Sequence, residues 1–132
     1  MMVVGQRSIL LVEDDPLLAM DVETCLAAAG YCVIGPVATT ASAVRLIQHQ
    51  SPDLVVLDLN LGTEMAFALP DFLTERKIPF IILTGHSQTV VAPRYRNRPF
   101  LQKPYVAATL LRAIRDTLQE VSGFPELKRY AH

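Results

Sequence analysis

At 132 residues, 51% hydrophobic and 19% charged, the chain has room for one compact domain and excludes a disordered polymer. A formal net charge of −1 excludes global attraction to nucleic acid or to an anionic membrane, so the electrostatics that matter are local. No apolar run is long enough to span a bilayer, and Met1–Ser8 lacks the apolar stretch of a signal peptide, so a soluble, cytoplasmic protein is expected.

Ile9-Leu10-Leu11-Val12 is apolar without interruption and predicts a first strand buried on both faces, as in parallel sheets covered by helices. Asp15 is placed to cap the following helix, with Pro16 in its first turn. Leu18, Val22, Leu26 and Ala29 then recur on one face until Gly30 stops the helix. Tyr31–Pro36 reads as a less regular second strand. Cys25 falls in the helical pattern and Cys32 in the strand-like one. A buried, reduced pair is the default in a cytoplasmic chain, a disulfide the alternative, and neither cysteine has a spacing that suggests metal. A second helix from near Thr40 to Gln50 would bury Ala43, Val44 and Ile47.

Leu54-Val55-Val56-Leu57 predicts a third strand and Phe80-Ile81-Ile82-Leu83 a fourth, both apolar throughout. Pro70 interrupts the helix between them, which either starts or kinks there. Ser87–Asn97 carries Pro93, Arg94 and Arg96 without an apolar stripe, so the fourth helix should be short, irregular or partly disordered. Pro99–Gln102 is the fifth strand. Leu110, Leu111, Ile114, Leu118 and Val121 form the stripe of a last helix that Ser122-Gly123 ends.

This alternation predicts an α/β fold: a flavodoxin-like, doubly wound, five-stranded parallel sheet in the order 2-1-3-4-5. Residues 1–122 are expected to form the domain and 123–132 a C-terminal tail.

In such a sheet, ligand chemistry collects outside the carboxyl ends of the strands. Strand one runs into Glu13-Asp14-Asp15, strand three into Asp58, strand four into Thr84 and strand five into Lys103. Converging carboxylates repel one another unless a cation intervenes, and hard oxygen ligands suit Mg²⁺. Each residue has an ordinary alternative. Glu13 and Asp14 could be solvated loop charges, Asp15 fits a helix cap, and Asp58 could cap the turn that follows it. The functional reading makes Asp58 a nucleophile forming an acyl phosphate, with Lys103 as a compact cation and Thr84 as a hydroxyl donor to the phosphoryl oxygens.

Four segments carry a resemblance. They are Ile9-Leu10-Leu11-Val12-Glu13-Asp14-Asp15-Pro16, Pro52-Asp53-Leu54-Val55-Val56-Leu57-Asp58-Leu59-Asn60-Leu61, Pro79-Phe80-Ile81-Ile82-Leu83-Thr84-Gly85, and Phe100-Leu101-Gln102-Lys103-Pro104-Tyr105. In order and spacing the chain resembles the CheY-like receiver domains of two-component signalling, over roughly residues 7 to 121. The resemblance implies that Asp58 is the phosphoacceptor and that Mg²⁺ is held by Glu13, Asp14, Asp58 and the backbone carbonyl of Asn60. It implies that Thr84 is the switch hydroxyl, Lys103 the phosphoryl-binding lysine, and Phe100 the switch aromatic, whose alternative is a plain core phenylalanine. It also implies a cis bond at Lys103-Pro104. The implied partners are a sensor histidine kinase or histidine phosphotransfer protein upstream and a protein target downstream, with no nucleic acid and no membrane. The receiver would catalyse its own phosphorylation and dephosphorylation without being a turnover enzyme.

The departures are local. Thr84 and Lys103 are 19 positions apart, a few fewer than in typical receivers. Leu61-Gly62-Thr63-Glu64 replaces the usual Met-Pro turn, and Asn60-Leu61-Gly62 with a later strand ending in Thr84-Gly85 resembles a single-domain subgroup common in alphaproteobacteria. His86 lies close enough to the pocket to influence phosphoryl lifetime, though a loop histidine is more often simply solvated. Arg94, Arg96 and Arg98 could dock an acidic partner or form a solvated loop. Only Ser122–His132 follows the last helix, so a stand-alone regulator without a DNA-binding module is expected. The rival enzyme class is an aspartate-nucleophile phosphatase of the haloacid-dehalogenase type. It needs a second acid two residues after the nucleophile, where this chain has Asn60, and a cap for which there is no room. A phosphorylation-independent binding module predicts pocket losses that are not visible, and flavin binding is disfavoured by the acidic first strand–helix turn.

Overall fold

The computed structural model describes residues 6–58, 68–84 and 99–120. Five strands form one parallel sheet in the order β2-β1-β3-β4-β5: β1 (Ser8–Val12), β2 (Cys32–Val37), β3 (Leu54–Asp58), β4 (Phe80–Thr84) and β5 (Phe100–Gln102). The uninterrupted apolar runs are β1, β3 and β4, which occupy the centre of the sheet, where both faces are covered. Their alternate residues point to opposite sides and divide the core in two. Ile9, Leu11, Leu54 and Val56 pack beneath α1 (Pro16–Ala28) and α4 (Ala107–Glu120), against Val22, Leu26, Leu110 and Ile114. Leu10, Val12, Val55 and Leu57 pack beneath α2 (Thr40–His49) and α3 (Ala68–Glu75), against Ala43, Ile47, Leu69 and Leu73. The flavodoxin-like order expected from the sequence is the order found.

Several expectations need correction. The second strand is Cys32–Val37 rather than Tyr31–Pro36, because the Tyr31 amide donates to the Leu26 carbonyl (3.1 Å) and closes the end of α1. The buried stripe of α1 is Ala19, Val22 and Leu26, while Leu18 and Ala29 are exposed. The phase is set at the start of the helix, where the Asp15 carboxylate accepts from the Leu17 and Leu18 amides, at 2.9 and 3.4 Å. In α2, capped by Thr39, Ala43 and Ile47 are buried while Val44 is half-buried. In α4, Leu111 is half-buried, and Ala113 takes the place expected for it in the stripe.

Strand five begins at Phe100; Pro99 has no amide to donate but accepts from the Ile82 amide (3.1 Å). Pro70 lies buried in the first turn of α3, where a missing amide leaves no intrahelical bond unmade. The cysteines are free but not a buried pair: Cys25 is half-buried and Cys32, opening the edge strand, is exposed. The expected fourth helix at Ser87–Asn97, Val121 and the boundary at residue 122 lie outside the described residues. Among the described residues, no helix is long and apolar enough to cross a membrane.

Candidate functional site

Parallel pairing brings the carboxyl ends of the strands to one edge. Val12 pairs with Leu57, Asp58 with Leu83, and Thr84 with Gln102, so the residues at and just beyond these positions share a rim. Glu13 and Asp58 are almost fully buried there, at 4% and 2% exposure, while Asp14 is exposed. One carboxylate oxygen from each of the three lies within 4.8 Å of the others. The turn after β5 carries Lys103 back over them: its Nζ is 3.0 Å from Asp58 Oδ2 and 3.7 Å from Glu13 Oε1. The Lys103–Pro104 bond in that turn is cis.

Glu13 is held at both ends. Its amide donates to the Val37 carbonyl (2.9 Å), and its Oε2 accepts from the Asp15 amide (3.2 Å). Burial pushes its carboxyl up to about 7, helped by a hydrogen bond with Asp58 and by the charge of that residue. The Asp15 amide and the Lys103 ammonium oppose the shift. Glu13 therefore holds its proton into the neutral range. Among the described residues three acids gather around the Lys103 ammonium, and the donor set they offer is all oxygen. Those two properties fit a hard divalent cation such as Mg²⁺.

Beside the acids, a cavity of about 480 Å³ opens between α1 and the turn after β5, lined by Leu18, Asp21, Cys25, Lys103, Tyr105 and Leu110 among others. The half-buried Tyr105 phenol is pushed up to about 12, by burial first and then by the charges of Glu13 and Asp58. Leu17, Leu18, Met20 and Val106 are exposed large apolar side chains on α1 and on the turn before α4.

The structure thus brings together Glu13, Asp14, Asp58 and Lys103, and leaves Asp15 as a cap. Phe100 is buried in the core on the α2–α3 side of the sheet, paired through its backbone with Ile82. Thr84 ends β4 on the same rim, but its side chain, with Asn60, His86 and Arg94, Arg96 and Arg98, falls outside the described residues. Sequence reasoning gave no role to Tyr105, although an aromatic two places after the rim lysine was a visible signal. It also missed the Val37 carbonyl, whose only trace in the sequence is the Gly35-Pro36 pair before it.

A family model for the response regulator receiver domain matches residues 9–115. The transcriptional regulatory protein PdtaR of Mycobacterium tuberculosis is 30% identical over 125 residues, covering 92% of this chain. The match spans only 60% of PdtaR, so the chain is well short of the length of that relative. Among solved structures, SdrG from Sphingomonas melonis Fr1 is 36% identical with a TM-score of 0.76, over 88% of this chain and 99% of the other. A BeF3-activated conformation of SdrG, from Pseudomonas melonis Fr1, matches at 36% identity and a TM-score of 0.75, over the same shares of the two chains.

Proposed function

This chain belongs to the response regulator receiver domain family, and from that premise we propose that it is a signalling switch that accepts a phosphoryl group on Asp58. The observation that carries the proposal is the Lys103 ammonium 3.0 Å from a nearly buried Asp58 carboxylate, inside a cluster of two further acids. An Asp58 oxygen attacks the phosphorus of a phosphohistidine on a histidine kinase or phosphotransfer protein. The new O–P bond makes a mixed anhydride. The P–N bond breaks with its electron pair on the imidazole nitrogen, which takes up a proton.

Glu13, Asp14, Asp58 and the Asn60 carbonyl would hold Mg²⁺, which when bound supplies positive charge to the phosphoryl oxygens. Lys103 offers its ammonium to the phosphoryl oxygens, and a Thr84 hydroxyl would donate to another. To hold the ion Glu13 would release its proton to solvent. Phosphorylation replaces the Asp58–Lys103 pair with a contact to a doubly charged group, and this biases Thr84 and Phe100 toward a second arrangement. The apolar side chains of Leu17, Leu18, Met20 and Val106 beside the pocket give a phosphohistidine-bearing helix a surface on which to dock.

SdrG, the 36%-identical neighbour, adopts an activated conformation with BeF3, which supports a switch of this kind here. The outcome is signalling rather than turnover, through a protein target. A phosphotransfer profile against the histidine kinases of the source organism, with Asp58→Asn as the blank, tests the proposal. Rapid, Asp58-dependent transfer from one kinase is expected, and no transfer from any of them contradicts it.

A further inference from the structure

Strand β2 contains one residue too many for its partner. Leu10 pairs with Ile34, yet Val12 pairs with Val37, so three steps on β2 match two on β1. In an unbroken strand Ile34 and Val37 would point to opposite faces. Here both pack against the α2–α3 half of the core, which requires the extra residue of a bulge. Gly35 sits in that bulge with φ +91°, a conformation that side chains rarely adopt. A Cβ there would stand 3.0 Å from the Leu11 carbonyl oxygen and 3.0 Å from the Val37 amide nitrogen, both of them backbone atoms.

The consequence reaches the acidic cluster. Val37 is the residue whose carbonyl accepts from the Glu13 amide at 2.9 Å. We propose that Gly35 is a positioning residue for the acidic pocket: the bulge built on its left-handed backbone keeps the Val37 carbonyl on the Glu13 amide and so fixes the Glu13 carboxylate beside Asp58. A side chain at Gly35 presses on the Leu11 carbonyl of β1 and on the Val37 amide within its own strand, so the bulge shifts by a few tenths of an ångström and the Val37 carbonyl that anchors Glu13 moves with it. The inference rests on reading Glu13, Asp14 and Asp58 as the Mg²⁺ site.

The chain supplies its own control. Gly30 has an equally unfavourable φ of +97°, but a Cβ there meets nothing within 4 Å. It ends α1, and its neighbour bonds hold that helix end rather than the acidic rim. Gly30→Ala therefore carries the backbone strain without the displacement. The test is a Mg²⁺ titration of the full chain followed by backbone amide shifts, at a temperature well below the melting point of each variant. Gly35→Ala should weaken Mg²⁺ by about tenfold, as loss of an outer support of a ligand does, with Gly30→Ala within about twofold of the parent.

If Gly35→Ala does not fold, an amide-to-ester exchange at Glu13 decides. A synthetic 1–24 segment ligated at Cys25 gives the native side chains with the Glu13 donor removed and the Val12 carbonyl weakened as an acceptor, and it too should weaken Mg²⁺ about tenfold. Parent-like binding by the ester variant, or by folded Gly35→Ala, overturns the role of Gly35, as does an equal loss in Gly30→Ala. A parent that binds no Mg²⁺ overturns the reading of the site as well, so the two failures are told apart.

Discussion

Lys103 and Asp58 lie 45 positions apart in sequence and meet at 3.0 Å, Nζ to Oδ2, with Glu13 Oε1 a further contact of the same ammonium at 3.7 Å. The parallel sheet produces this meeting, because the carboxyl ends of β3 and β5 lie on one rim. There the ammonium faces two acids that the core has taken out of water.

Removing that charge should be felt in stability. Lys103→Met removes the ammonium that faces both Asp58 and Glu13. Near pH 8 it should destabilise the metal-free protein by about 1–3 kcal/mol, below the cost for a fully buried pair because the lysine side chain is 23% exposed. At about pH 5 the loss should shrink, because Glu13 then keeps its proton. Urea midpoints at the two pH values check both the loss and its direction. An equal loss at both contradicts the coupling.

Glu13 itself sets a pH dependence. Its carboxyl lies near 7 in the folded, metal-free chain and near 4.5 when unfolded, so the folded state binds the proton more tightly. The stabilisation this provides is complete below about pH 4.5 and is lost as pH rises toward 7. Glu13→Gln removes the group, so in chelator it should be more stable than the parent near neutral pH, by about 2 kcal/mol, with the difference vanishing near pH 4. Excess Mg²⁺ should reverse the order at neutral pH, since only the parent has the carboxylate to bind it. Thermal melts of both proteins across this range, with chelator and with Mg²⁺, provide the measurement.

The two adjacent acids after Glu13 should separate by function. Asp15 caps α1, so Asp15→Ala should cost about 1 kcal/mol of stability and leave Mg²⁺ affinity within about twofold. Asp14 contributes an oxygen to the cluster and caps nothing, so Asp14→Ala should weaken Mg²⁺ by about tenfold or more at little cost in stability. The same titrations and melts distinguish them. A reversed pattern contradicts the assignment.

The exposed apolar surface beside the pocket should matter only to a macromolecular donor. Leu17 and Met20 are 72% and 58% exposed, so Leu17→Glu and Met20→Glu ought to fold like the parent. Transfer from a phosphohistidine protein should slow by about tenfold, while phosphorylation by a small acyl phosphate stays within about twofold. Parallel rate measurements with the two donors check this. Equal slowing with both would place the effect in the pocket instead.

The parts legible in the sequence were those in which side-chain type and position carry the physics. Uninterrupted apolar runs identified the three central strands, and the polar residues ending them, Glu13, Asp14, Asp58 and Lys103, converge because parallel strands share an edge. The phase of α1 was misread because large apolar side chains drew the stripe through Leu18. The smaller Ala19 faces the core instead, and Leu18 borders the cavity beside Lys103. The support of Glu13 by Val37 was not legible, because it is a backbone contact created by a bulge, and a carbonyl is the same in every residue. Cys32 read as buried because its strand neighbours are apolar, yet it opens an edge strand, where one side is left open.

The central claim is that Asp58 is the phosphoacceptor. Incubating the full chain with Mg²⁺ and a small acyl phosphate, and following intact mass, tests it most directly. A single phosphoryl increment is expected, absent without Mg²⁺, absent in Asp58→Asn and greatly slowed in Lys103→Met. An increment that persists unchanged in Asp58→Asn, or a parent that never gains one, would contradict the account.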